Sequence, residues 1–209
     1  MSAHRLSGDS LHVFRGERHV LRGVSFVAEG GDYLEVTGSN GAGKTSLLRT
    51  IVGLVHAESG RVRWNGLDIH ADAGAFHAQL AYLGHESPLK ADLTPRENLH
   101  FAIGIRRRVG GDEIARALAE TGANGFADRP VRTLSAGQRR RVALAGVVLA
   151  AVPLWVLDEP ATHLDAEGHA LVGRLVDRQR AEGGIVIAAV HAPLPVAGAG
   201  TRRIGLTLQ

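Results

Sequence analysis

The first thirty residues alternate between apolar and polar positions in the manner of strands. Leu11, His12, Val13 and Phe14 form one such stretch and residues 20–27 a second, with Gly16 and the Gly30-Gly31 pair as turns. Residues 33–37 predict a short strand that runs into a glycine-rich loop. Residues 46–54 predict a helix opened by that loop and closed near Gly53. Two further short strands are predicted at 61–64 and 80–83. Between 94 and 126 the character turns helical: Thr94-Pro95-Arg96-Glu97 reads as a capped helix start, and residues 112–121 are amphipathic. Strand and helix then alternate again, with helices at 138–151 and 166–181 and strands at 154–157 and 185–190. Those last two strands are continuously apolar, the pattern of parallel strands covered on both faces.

A chain of 209 residues can bury a substantial core as one domain without a disulfide or metal staple. It has no cysteine, which excludes disulfides, cysteine-ligated zinc, iron–sulfur ligation and covalent c-type haem attachment, and fits a reducing compartment. The net charge is +3, yet aromatic residues make up only 4%, so the interleaved basic and aromatic pattern of a nucleic-acid binder is missing. No nucleic-acid partner is expected. The two basic clusters, Arg106-Arg107-Arg108 and Arg139-Arg140-Arg141, read as solvated helix faces or faces near anionic phosphate or lipid. The longest apolar run, 142–157, is interrupted by Pro153 and is shorter than the roughly 20 residues of a spanning helix. The opening residues hold no apolar stretch of signal-peptide length. The expectation is a soluble chain whose membrane role comes through a partner.

Only two lysines occur, Lys44 and Lys90, and Lys44 sits in a G-x-x-x-x-G-K-T motif. Gly38, Ser39, Asn40, Gly41, Ala42, Gly43, Lys44 and Thr45 follow a predicted strand and lead through Ser46 into a predicted helix, the context of a phosphate-binding loop. The glycines let backbone N–H groups turn inward, and the helix N-terminus adds partial positive charge. Lys44 is expected to reach the β- and γ-phosphates of ATP, and Thr45 to ligate Mg²⁺. A chance glycine-rich turn explains neither the flanking elements nor the placed lysine.

Leu154-Trp155-Val156-Leu157 ends in two carboxylates. Asp158, at the C-terminal end of the strand, is suited to hold Mg²⁺ through water, and Glu159 to polarise the attacking water as general base. Alone this is a strand followed by an acidic turn; the phosphate loop gives it meaning. Leu134-Ser135-Ala136-Gly137-Gln138 precedes a helix. A serine among small residues there either caps the helix or presents its hydroxyl and backbone N–H groups to a phosphate.

As a set, these motifs resemble the ATP-binding cassette family over nearly the whole chain. The resemblance implies an α/β fold: a P-loop core with an N-terminal antiparallel β region and an inserted α-helical lobe. The single domain 1–209 would divide into a core of 1–85 and 133–209 and a lobe of 86–132. It implies that Ser135, Gly137 and Gln138 form the nucleotide-binding signature. Asp165, ending the run from Glu159, would lie in a loop that crosses a dimer interface, and His191 would contact the γ-phosphate. In this family the signature of one subunit closes over the phosphate loop of another. One copy of each motif therefore implies a homodimer around two ATP molecules, its closing and opening passed to an integral-membrane permease.

The closer resemblance is to the ATP-binding subunit of the haem exporter in bacterial cytochrome c biogenesis. It rests on Thr37-Gly38-Ser39-Asn40, Tyr82-Leu83-Gly84-His85, the runs 88–99 and 134–145, and Arg202-Arg203-Ile204. It implies haem-handling membrane proteins and a haem chaperone as further partners, and a cytoplasmic location on the inner membrane. Four positions depart from the wider pattern. His85 stands where most cassette ATPases carry the glutamine that touches Mg²⁺ and couples to the permease, and Glu86 follows; either can take that place. Arg15 lies where an adenine-stacking tyrosine is usual, with Phe14 beside it, and a ring or a guanidinium plane can stack on the base. Ala136 replaces a signature glycine, and Gly146 stands where arginine is favoured.

Other classes fit less well. A P-loop kinase or GTPase would share the loop, but no N-K-x-D motif is present and the signature would be unexplained. A chromosome-type cassette ATPase needs a long coiled coil for which residues 94–126 are too short. A soluble cassette ATPase of iron–sulfur cluster assembly, or an exporter ATPase for another substrate, shares every catalytic motif. The eleven histidines are scattered without an H-E-x-x-H pair, as surface histidines are, rather than metal or haem ligands.

Overall fold

The computed structural model describes residues 4–197 and 201–206. The chain opens with a long hairpin, β1 (Arg5–Arg15) and β2 (Arg18–Glu29), then enters the core through β3 (Tyr33–Gly38) and α1 (Lys44–Ile51). It returns to the hairpin with β4 (Ser59–Trp64) and β5 (Leu67–Asp68), giving an antiparallel sheet in the order β2-β1-β4-β5. The hairpin starts earlier than its alternation predicts. Leu6 is the only apolar side chain in residues 5–10, but it pairs with Ala28 on one side and Trp64 on the other. A register shift in β1 follows at Ser10, which has φ 43. Gly60 crosses beside it, where a Cβ would lie 2.3 Å from the Asp9 carbonyl oxygen, so no other residue fits.

After α2 (Ala73–Ala78) come β6 (Leu80–Leu83), α3 (Pro95–Gly104), α4 (Gly111–Glu120), α5 (Ala136–Ala150), β7 (Leu154–Asp158), α6 (Ala166–Ala181), β8 (Ile185–Ala189) and β9 (Thr201–Leu206). The core sheet is wholly parallel, in the order β6-β7-β8-β3-β9. Every residue of β7 and β8 is buried, which is why their sequences are apolar without alternation. One sheet face packs with α1 against the antiparallel sheet, through Leu34, Leu47, Leu48, Val156 and Ile187. The other face packs against α5 and α6, through Trp155, Leu157, Leu144 and Val176.

Helix α5 is buried on two sides. Ala143, Leu144 and Val147 meet the sheet, while Val142, Ala145 and Leu149 meet α3 and α4. Gly146 faces α3, where a Cβ would touch Leu99 Cδ2 at 3.4 Å. Two expected caps are present: Thr94 accepts from the Glu97 N–H, and Ser135 from the Gln138 N–H, each completing a capping box. The reading of the arginine clusters as solvated faces holds for Arg106 and Arg108, which are exposed, and needs correction at Arg140, which is only 4% exposed. Charge clustering along a sequence does not reveal which face of a helix the fold will cover. Sequence periodicity also passed over α2, β5 and β9.

Candidate active site

The loop between β3 and α1 lies at the C-terminal edge of the parallel sheet, where α/β sheets bind ligands. Gly43 caps α1 at φ 103, a left-handed conformation, and a Cβ there would lie 2.8 Å from Val20 Cγ1. Ala42 and Ser46 are buried and fix the loop on the core, while Ser39, Asn40 and Gly41 stay exposed. Lys44 is 7% exposed and folds back over the loop, donating to the Gly38 carbonyl at 2.7 Å and to the Ser39 carbonyl at 3.3 Å. Its ammonium is thus held at the centre of the loop, with backbone acceptors that a phosphate can replace.

A cavity of about 610 Å³ opens above this loop. Asn40, Gly41, Gly43, Lys44, Thr45 and Ser46 form one wall; Glu159, His85 and His191 line the same space, as do Arg15, Arg18 and Val20 from the hairpin. Glu159 leaves β7 at φ 51, a strained conformation for a side chain with a Cβ. Its carboxylate lies 2.6 Å from His191 Nε2, 3.6 Å from His85 Nδ1 and 3.2 Å from the Thr162 hydroxyl, which donates to it. The carboxylate is thus aimed by neighbours on three segments and faces the loop.

Of the residues expected to share this site, the fold brings together the loop, Glu159, His191, His85 and Arg15. Phe14 stacks on His19 at 4.1 Å between ring centroids, away from the cavity lining. Glu86 lines a separate cavity of about 440 Å³ with Arg139 and Arg140. Ser135, Gly137 and Gln138 stand outside the nucleotide cavity. Gly137 packs where a Cβ would lie 2.7 Å from the His163 carbonyl oxygen. Asp165 caps α6 by accepting from the Gly168 N–H at 2.8 Å and lies 3.5 Å from Arg141.

Two residues escaped the sequence reading. Arg18 reaches the Gly41 carbonyl at 3.3 Å and adds a cation to the cavity rim. Arg140 donates to four backbone carbonyls around the carboxylate-bearing turn. For Arg18 no motif signal exists. For Arg140, the middle of three consecutive arginines, the sequence carries no signal that sets it apart from its neighbours.

Asp158 is 1% exposed. Burial is the first cause that raises its pKa above the ordinary carboxylate value, and the Glu159 charge adds to it, against a Thr45 hydrogen bond and the positive fields of His85 and Arg140. One carboxylate oxygen, Oδ2, has no hydrogen-bond partner. An orphaned buried anion beside a threonine hydroxyl fits a divalent cation. Among the described residues no group of three or more His, Asp or Glu side chains closes around a metal, so a cation here would share its shell with phosphate oxygens and water. Because folding raises this pKa, the fold favours the protonated form. That contribution is full below the ordinary carboxylate range and is lost as pH rises through the raised value. At pH 7 the buried charge therefore costs stability. Asp158→Asn is expected to melt a few degrees above the parent at pH 7 without ligand, with the gap shrinking in acid. Thermal unfolding at both pH values is the check, and a lower melting point at pH 7 contradicts the assignment.

One wall of the cavity can bind a polyphosphate, and the other can hold a general base over its terminal group. That is the chemistry of a P-loop nucleoside triphosphatase, and the antiparallel sheet beside the parallel core narrows the class further. The ABC transporter family matches residues 21–162; the chain belongs to that family and is one of its ATP-binding ATPases. Two similar relatives within the family are export proteins. The cytochrome c biogenesis ATP-binding export protein CcmA of Salmonella typhi is 45% identical over 97% of both chains. The protein of the same name from Methylococcus capsulatus is 44% identical over 95% of this chain and 96% of its own. Among solved structures, an ABC transporter ATP-binding protein from Pyrococcus furiosus matches with a TM-score of 0.85 at 25% identity, over 97% of each chain. Proteins of this family work with membrane components, and no helix among the described residues is long and apolar enough to cross a membrane.

Proposed function

We propose that this chain hydrolyses ATP as the motor subunit of a haem exporter in cytochrome c biogenesis. It would act as a homodimer on an integral-membrane permease, at the cytoplasmic face of the inner membrane. The observation that carries the specific reading is the 45% identity, end to end, with a cytochrome c biogenesis export ATPase. Haem-handling membrane proteins and a haem chaperone follow as partners from the same similarity.

The catalytic part rests on geometry. Lys44 and the loop N–H groups bind the β- and γ-phosphates, and Arg15 stacks on the base, since it lines the cavity and Phe14 does not. Asp158 and Thr45 would hold Mg²⁺, which when bound neutralises charge on the β- and γ-phosphates. Glu159 accepts the proton of the attacking water. His191, 2.6 Å from that carboxylate, fixes its orientation and faces the γ-phosphate. His85 stands beside Glu159 on the far side and takes the coupling position; Glu86 lines the neighbouring cavity.

Ser135 caps its helix outside the chain's own cavity. It would therefore serve a second copy's nucleotide, with Gly137, Gln138 and Asp165 at the same interface. In sedimentation, Glu159→Gln with ATP is expected to shift from monomer to dimer, while ADP leaves it monomeric, because only the γ-phosphate spans Lys44 of one chain and Ser135 of the other. A monomer at every concentration of ATP contradicts the composite site. For the transported substrate, the parent chain should restore holocytochrome c to a bacterium deleted for its own export ATPase, and Glu159→Gln should not. Restoration by the inactive variant, or none by the parent alongside its own permease, sinks the haem-export reading.

A further inference from the structure

The guanidinium of Arg140 sits among backbone carbonyls. Nε donates to the Pro160 carbonyl at 3.1 Å, Nη1 to the Gly84 carbonyl at 2.9 Å, and Nη2 to those of Asp158 and Glu159 at 2.5 and 2.7 Å. Four of the five donors of an arginine fork are thus spent on main chain. The side chain is 4% exposed. Burial lowers its pKa from the ordinary arginine value, opposed by the charges of Asp158 and Glu159.

These acceptors belong to two turns that leave the sheet at one edge, one after β6 and one after β7. Gly84 directly precedes His85; Asp158 ends β7, and Glu159 and Pro160 follow it directly, opening the segment that runs to Asp165. Glu159 needs such a hold. Its φ of 51 is a conformation that persists only when surroundings impose it. Its N–H is fixed to the Ala189 carbonyl at 2.9 Å, and its own carbonyl is fixed by Arg140. Arg140 itself stands one turn into α5, the helix that Ser135 caps.

We infer that Arg140 is a positioning residue that locks the first turn of α5 to the peptide bearing Glu159 and to the approach to His85, so that displacement of Ser135 moves the general base. In a dimer built as proposed above, on which this inference rests, Ser135 touches the nucleotide of one site while Glu159 serves the other. The lock then makes hydrolysis at one site depend on closure of the other. Lysine cannot replace it. An ammonium carries its donors on one atom, whereas the guanidinium bridges two separate turns and four carbonyls with a rigid plane.

The test compares Arg140→Lys and Arg140→Met with the parent in ATP binding, steady-state hydrolysis and thermal unfolding. ATP affinity and KM are expected to stay at parent values, because the phosphate loop is untouched. The kcat is expected to fall by about 10- to 100-fold, the scale of a misplaced reacting group; the parent's two coupled sites are expected to give a sigmoidal ATP dependence, and the variants a hyperbolic one. A merely structural role would lower the melting temperature and leave the rate per folded molecule and the sigmoidal shape intact. That result overturns the inference, as does parent kcat in either variant. If Arg140→Met does not fold, Arg140→Lys decides alone. Each variant is also combined with Glu159→Gln and tested for ATP-driven dimerisation. If the parent Glu159→Gln chain itself stays monomeric, the composite-site reading fails, and the cross-site part of the inference fails with it. A kcat loss at unchanged KM would still place Glu159 under the control of Arg140.

Discussion

Glu159→Gln will leave ATP bound and stop turnover, with kcat at least about 100-fold below the parent, the usual contribution of a positioned general base. The amide is close in size to the carboxylate and can keep a hydrogen bond to the Thr162 hydroxyl or to His191, so the turn at φ 51 stays in place. What it lacks is basicity, and no nearby group supplies it in the same position. His191 sits 2.6 Å from the carboxylate and His85 3.6 Å away; each stands beside the carboxylate and not at its position. Equilibrium nucleotide binding and steady-state phosphate release separate the two effects. Hydrolysis at the parent rate in the purified variant would falsify the assignment of the base.

Lys44→Ala is expected to do the opposite and act on binding. The lost contact is a charge-assisted hydrogen bond to phosphate, about 2 to 3 kcal/mol, which corresponds to roughly 30- to 150-fold in Kd for ATP. In the nucleotide-free chain Nζ already satisfies the carbonyls of Gly38 and Ser39. Part of its strength is therefore committed before ATP arrives, and the loss should fall within that range, not above it. The truncation also removes those two hydrogen bonds, at the half-buried Gly38 and the exposed Ser39, so only a small fall in melting temperature should accompany it. Nucleotide affinity at the parent value, by calorimetry, rules out the role given to Lys44.

Much of this site was legible in the linear chain because its parts are local. The phosphate loop needs glycines, a lysine and a following helix within a few residues, and those stand together at 38–46. The fully buried strands β7 and β8 showed as unbroken apolar runs, and the capping boxes at Thr94 and Ser135 showed as a hydroxyl followed three positions later by Glu97 and Gln138. Each signal lies within one turn of helix or one strand, where side-chain spacing and backbone geometry are directly linked.

Other features depend on residues far apart in the chain, and spacing carries no trace of them. Strand β9 exists because it pairs with β3, Ile204 opposite Val36, and its own sequence has no alternation to announce it. Helix α2 buries only Phe76, too little for a periodic pattern. Whether Phe14 or Arg15 lines the cavity turned on the register of the β1–β2 hairpin, which shifts between Val13 and Phe14; one residue of slip exchanges the faces. His85 rather than Glu86 joined Glu159 because the turn after β6 places His85 between the two cavities, within reach of Glu159, and leaves Glu86 lining only the second. Arg140 is the clearest case. Sequence shows three arginines in a row, and only the packing of α5 between the sheet and the helices around α3 and α4 buries the middle one. A helix turns its residues to different faces every few positions, so what covers each face is decided by partners brought in from elsewhere in the chain.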